Sequence, residues 1–343
     1  MNFPKAYFEE TLKAILAIDS PSGFTHKVIA TLKQYVDHLG FENYITNKGN
    51  LVVRIGGKRS DVTRGISAHV DTLGLVVKGH KSNGLLSFSR VGGPILPTLD
   101  GEYCKVYTRD GRIYTGTILS DSPASHVFDN ASSRKRDADN MHVKLDVEVG
   151  DIKGLKELGI LPGDFICYDP KTMITDTGFI KSRFLDDKLS AAIILCTLKH
   201  MKENNIQPET NVCCIFSTYE EVGHGLSAMP EGITEFLAVD MGCIGDDLGC
   251  TEYDVSICAK DSSGPYDYEM TTRLINLAKQ ADLNFAVDVY PYYGSDVSAA
   301  RTAGHDIRGA LIGPGVAASH GMERSHMKAA ENTFKLLNLY LQH

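Results

Sequence analysis

No run of eighteen apolar residues occurs anywhere in the 343-residue chain, so no membrane-spanning helix is expected. The N-terminal segment MNFPKAYFEETLKAILAIDS interrupts its apolar residues with charges. That excludes the continuous apolar core of a secretion signal and points to a cytoplasmic protein. Eight cysteines are present without one CxxC pair, and Cys196, Cys213 and Cys214 lie inside apolar runs. This usage argues against a zinc ribbon or a disulfide framework and fits a reducing compartment, where a thiol packs as a small hydrophobe. Basic residues are in deficit: 35 Lys and Arg face 43 Asp and Glu, a formal charge of −8, so a phosphate backbone is not an expected partner. The one basic cluster, Arg134-Lys135-Arg136, is bracketed by Asp129 and Asp137 and reads as a solvated loop. Also missing are a P-loop, a GxGxxG after the first strand and a GxSxG, which removes the usual nucleotide-binding and serine-hydrolase readings.

What is present is an ordinary globular composition in a chain long enough for one large domain and one small one. Apolar residues at helical spacing predict helices over about 7–18 and 25–39, separated by the turn Ser20-Pro21-Ser22-Gly23. Residues 50–55 and 63–70 read as strands, the second ending near His69 and Asp71. From Gly74 to about Asp176 the texture changes to short alternating segments, with Asp110-Gly111 marking a hairpin. Helices and continuous apolar strands then return, with VCCIFST and FLAVD suited to buried parallel strands and a last helix carrying Ala330, Phe334, Leu337 and Leu341. The expected architecture is α/β, with a split main domain (1–72 and 177–343) and an inserted small β-barrel or sandwich (73–176).

Ligand-type residues cluster where such a sheet presents its chemistry, at or just beyond strand ends. His69 and Asp71 are two apart on an extended segment, so one carboxylate could orient an imidazole whose other nitrogen binds a cation. Asp186-Asp187 opens a helix, where acids serve equally as caps or as a bridge between two cations. Glu220-Glu221 directly follows an apolar strand; adjacent like charges there are costly unless cations offset them, and their divergent side chains suit one ligand and one proton acceptor. Asp240 ends another buried strand, and His320 and His326 follow the Gly313-Pro314-Gly315 loop, with spacing alone not choosing between them. Two imidazoles and at least three carboxylates form a mixed N/O set that suits Zn²⁺, Co²⁺ or Mn²⁺.

In SPSG (20–23), AHVDTLG (68–74), GLLSFSRVGG (84–93), LGILPGDF (158–165), FLDDKLSAA (184–192), EEVGHG (220–225), AVDMG (238–242) and SSGPYD (262–267), the chain resembles the glutamyl or deblocking aminopeptidase family. That family includes the large tetrahedral aminopeptidases and proteins once labelled cellulase-M-like. The resemblance implies a zinc-peptidase-like mixed sheet flanked by helices, with a PDZ-like or barrel-like insert used in dimerisation or substrate access. It also implies two divalent ions per subunit, with Zn²⁺ the first expectation. One would be held by His69, Asp186 and Asp240, the other by Asp186, Glu221 and His320. Glu220 would be the general base and Asp71 the partner of His69. The family's distance from last ligand to C-terminal helix favours His320 over His326. Substrates would be peptides or small dipeptides cut at the N-terminus, and the assembly a homo-oligomer built from dimers, up to a dodecamer. Thr72, Lys188 and His320-Gly321-Met322 depart from residues common in the family and leave specificity open. Two other readings use the same residues: a metal-dependent amidase or deacylase, and a non-catalytic metal-bound scaffold, against which Glu220 stands. A glycosidase would need two carboxylates flanking a sugar bond, and the acids here are better used as ligands.

Overall fold

The computed structural model describes residues 1–343, which divide into two compact units, 1–71 with 171–343, and 72–170. The first unit opens with helices α1 (Lys5–Leu16) and α2 (His26–Leu39), the latter stopped by Gly40 in the left-handed conformation. Strands β1 (Glu42–Ile45), β2 (Leu51–Ile55) and β3 (Arg59–His69) follow.

The second unit is a closed six-stranded barrel. Its strands are β4 (Gly74–His80), β5 (Leu86–Val91), β6 (Glu102–Tyr107), β7 (Ile113–Ser120), β8 (Met141–Leu145) and β9 (Phe165–Tyr168), joined in the order β4-β5-β8-β7-β6-β9. The β6–β7 hairpin turns through Asp110-Gly111, with Gly111 at φ 86°. Alternation along β6 (Glu102, Cys104 and Val106 buried) fills the interior, and the short helix α3 (Ile152–Glu157) is capped by Asp151.

Residues 171–343 complete the first unit. Strands β10 (Met173–Ile174) and β11 (Phe179–Ser182) lead into α4 (Leu185–Glu203), then β12 (Thr210–Ser217), β13 (Ile233–Val239) and β14 (Gly242–Cys243). After them come β15 (Val255–Asp261), β16 (Gly264–Pro265), α5 (Tyr268–Gln280), β17 (Phe285–Val289), α6 (Asp296–Thr302), β18 (Arg308–Val316), β19 (Glu323–His326) and α7 (Met327–Gln342). The main sheet runs β1-β2-β12-β3-β13-β18-β15-β16, with β17 on β15 and β14 on β18; β11 pairs with β10 and β19 in a separate three-stranded sheet. Strands β12, β3, β13 and β18 are mutually parallel. Their side chains are buried on both faces, which is why β12 and β13 read as nearly unbroken apolar runs. Helix α4 is buried almost throughout and packs against α1, α2 and α7 as well as β3 and β18.

Four parallel strands therefore end along one edge of one sheet. β3 ends at His69, β12 at Ser217, β13 one residue before Asp240, and β18 four residues before His320.

Candidate functional site

His69 is buried at the end of β3, and its two ring nitrogens have separate surroundings. Nδ1 lies 3.0 Å from the main-chain oxygen of Asp71, so the natural tautomer donates from Nδ1 and leaves the Nε2 lone pair inward. Nε2 is 3.0 Å from Oδ1 of Asp186 and 3.7 Å from Oε2 of Glu220. The Asp71 carboxylate stands farther from the ring, 3.6 Å at Oδ1, and is engaged elsewhere. It accepts from the peptide N–H groups of Glu220 (3.1 Å) and Glu221 (3.2 Å) and from the hydroxyl of Ser22 (2.5 Å). Asp71 thus fixes the backbone of the glutamate pair as well as the imidazole.

Asp186 faces both histidines, since its Oδ2 is 3.6 Å from Nε2 of His320. His320 is also 3.5 Å from Oε2 of Glu221. Ligand-type atoms of His69, Asp186 and Glu221 lie within 4.8 Å of one another, and so do those of His69, Asp187 and Asp240. His326 does not join this group: its Nε2 meets the Thr177 carbonyl at 2.9 Å, and its Nδ1 accepts from the Lys328 N–H at 3.0 Å, capping α7.

The loops that carry these groups turn through unusual backbone. Phe184, Tyr219, Ala318 and His320 have φ between 58° and 68°, a region that costs a non-glycine residue about 1–2 kcal/mol. Each stands within two residues of a candidate ligand, or is one, so the strain is concentrated where side chains are being aimed. The chain around them is braced. Asn50 accepts from the N–H and hydroxyl of Thr218, and the Asp296 carboxylate accepts from Ser217 Oγ and from the Leu226 N–H, clamping both flanks of the Glu220–Glu221 segment. Lys188, fully buried, donates to the Ile18 carbonyl at 2.7 Å and ties the start of α4 to the Ser20–Ser22 turn.

Electrostatically the site is dominated by carboxylates. Burial pushes the carboxyls of Glu220 and Glu221 well above the usual range, with Asp240 adding to the effect on Glu220 and Asp186 to that on both. Burial, then Asp186, moves Asp240 up to about 7. Only Asp186 is held below its ordinary value, because His69 and His320 outweigh its burial. His69 runs the other way: burial alone would lower it, but Asp186, Asp71 and the surrounding acids raise it well above 6.5. One oxygen of Glu221, Oε1, is buried with no hydrogen-bond partner. Protons and an unpaired carboxylate oxygen mark where cations fit, and the N/O donor set suits a borderline divalent ion.

Ser22, Asn50, Asp296, Tyr293 and Glu323 were not singled out from sequence. Tyr293 donates its hydroxyl to the Met241 carbonyl at 2.9 Å, one residue from Asp240; Glu323 accepts from the N–H groups of Asp186 and His320, each at 3.1 Å. The only sequence hints were the SPSG turn for Ser22 and the position of Glu323 three residues after His320.

A sequence model of the M42 glutamyl aminopeptidase family matches residues 49–336. YhfE of Bacillus subtilis (strain 168), a protein assigned as an aminopeptidase, is 42% identical over 334 residues, covering 97% of this chain and 96% of its own. Among solved structures, aminopeptidase APDkam598 from the archaeon Desulfurococcus kamchatkensis superposes with a TM-score of 0.87 at 20% identity, covering 98% of this chain and 95% of that one. The TET1 peptidase of Pyrococcus horikoshii, described as able to assemble into a tetrahedron or a large octahedral shell, gives 0.84 at 21% identity over 97% and 99%.

Proposed function

The chain belongs to the M42 glutamyl aminopeptidase family, and from that premise we propose that it uses two divalent metal ions to remove N-terminal residues from peptides or small dipeptide-like substrates. It is a peptide-bond hydrolase of a metallopeptidase family; the ion count, the ligands and the substrate are the proposal. His69, Asp186 and Asp240 would hold one ion and Asp186, Glu221 and His320 the other, with Zn²⁺ preferred over Co²⁺ or Mn²⁺. Asp187 competes with Asp186 for the shared place, but its Oδ2 already accepts from the His69 N–H at 3.3 Å, whereas Asp186 faces both imidazoles. The observation that carries this reading is the Glu221 carboxylate, whose Oε1 is buried and unpartnered while its Oε2 stands 3.5 Å from His320.

The chemistry two such cations supply is Lewis acidity toward water and toward the scissile carbonyl. Glu220 keeps 16% of its side chain exposed, which supports a base that meets water and substrate. Its carboxylate takes the proton of the attacking water and returns it to the departing amine. Asp71 keeps Glu220 and Glu221 in register and, through its carbonyl, keeps the His69 Nε2 lone pair inward.

The barrel of residues 72–170 is proposed to serve dimerisation or substrate access, and a dimer-based oligomer is supported by the shells of the TET1 peptidase. Eight free cysteines support work in a reducing, cytoplasmic setting, and no helix is long and apolar enough to cross a membrane. Glu220→Gln keeps the side chain's size and removes its basicity. It should retain divalent-ion binding and lose about 10²–10⁴-fold in kcat. Near wild-type turnover with metal bound would remove Glu220 from this role.

A further inference from the structure

Glu323 is 2% exposed, yet no lysine or arginine is paired with its carboxylate. Its two oxygens reach two different stretches of chain: Oε2 accepts the Asp186 N–H and Oε1 the His320 N–H, both at 3.1 Å, and the Leu185 N–H contributes as well. We propose that Glu323 is a positioning residue that clasps the backbones of Asp186 and His320 and so sets the spacing of the two side chains facing each other across the site. The inference rests on the metal-holding reading above and adds a residue to it.

The local fold explains how one carboxylate reaches both. Glu323 begins β19, which pairs antiparallel with β11, and Ser182 lies opposite Glu323 in that register. Two residues beyond Ser182 the chain turns at Phe184 (φ 68°) into Leu185 and Asp186. On the other strand, the 318–321 turn, with Ala318 at φ 58° and His320 at φ 63°, is closed by the Gly321 N–H on the Ala318 carbonyl at 3.1 Å. Neither turn is held by glycine at its left-handed position, so each needs an external restraint. The shared carboxylate gives both the same one.

Both of its oxygens are engaged by peptide N–H groups of the neighbouring segments, which favours a role in aiming those segments over direct ligation. The arrangement also recurs. Asp71 accepts the N–H groups of Glu220 and Glu221 in the same way, so all four of these side chains are aimed by two buried carboxylates that grip their backbones. Asp71 lies two residues from His69 on one extended segment, whereas Glu323 is separated from His320 by a turn, so no strand or helix period singles it out.

The test is isothermal titration of Zn²⁺ alone into metal-free wild type, Glu323→Gln and Glu323→Asp, with thermal unfolding of the metal-free proteins and steady-state kinetics on a free-amine peptide. Gln preserves volume but sets an amide NH₂ against one of the N–H donors. Its Zn²⁺ dissociation constant should rise about 10–100-fold, with kcat reduced at saturating metal and KM within about twofold. Asp keeps both acceptor atoms on a shorter arm and should fall between Gln and wild type, which holds the test open if the Gln variant fails to fold. A purely structural role would lower the unfolding midpoint while leaving the dissociation constant and kcat per folded molecule at wild-type values, and that result overturns the proposal. Wild type that takes up no ion overturns the metal-holding reading itself, and this inference with it.

Discussion

At the residue scale, the two C-terminal histidines separate roles that the sequence leaves entangled. His320 sits 3.5–3.6 Å from Glu221 and Asp186, with 37% of its side chain exposed, whereas His326 spends both ring nitrogens on backbone groups. His320→Ala should weaken Zn²⁺ binding by more than the roughly 10–100-fold typical of losing an outer partner. His326→Ala should leave Zn²⁺ affinity unchanged and cost about 1 kcal/mol in unfolding free energy through the lost helix cap. Titration calorimetry and thermal unfolding of the two variants check this, and a reversed pattern would exchange the assignments. Glu220 and Glu221 were legible from local chemistry, since adjacent acids after an apolar strand demand a reason. Ser22, Asn50 and Asp296 were not, because each acts through hydrogen bonds to segments 49 to 168 residues away, and no periodicity encodes such contacts.

Elements were easier to read than contacts. Continuous apolar runs announced β12 and β13 as buried parallel strands, and the alternating texture after Gly74 announced a small β-barrel or sandwich, which the structure closes into a barrel. The start of α4 was less transparent. Asp186 and Asp187 carry non-helical dihedrals, so the regular helix follows them, and a propensity argument about first-turn acids misses that these residues belong to the site's backbone. The glycines of β18 have a similar hidden purpose. A Cβ on Gly313 would collide with the main-chain oxygen and carbon of Asp240 where β13 and β18 run side by side. Gly313→Ala should therefore force the strand ends apart, costing about 1–3 kcal/mol and displacing Asp240. The expected readouts are a lower unfolding midpoint for the metal-free protein and weaker Zn²⁺ binding. An unchanged midpoint would mean the strand ends yield freely.

For the whole molecule, the candidate chemistry belongs to one of the two units. Every candidate ligand, the proposed base and both gripping carboxylates lie in the unit formed by residues 1–71 and 171–343. The α/β fold and its barrel followed from the sequence because each is written in local periodicity. The meeting of segments more than a hundred residues apart at one sheet edge is a property of topology; placement at strand ends pointed to it, and the family resemblance named the residues. Acids this close, pushed toward neutrality by burial, define a site that calls for cations. The central claim is that such cations serve to cut peptides from a free N-terminus, and it separates from amidase and scaffold readings in one assay. Metal-free and Zn²⁺-, Co²⁺- or Mn²⁺-reconstituted protein are each incubated with matched peptides bearing free or acetylated N-termini, and the released residues are quantified. N-terminal residues should be released from free-amine peptides only after metal is restored, with acetylated peptides untouched. Equal cleavage of the acetylated peptides, or equal activity without metal, would contradict it.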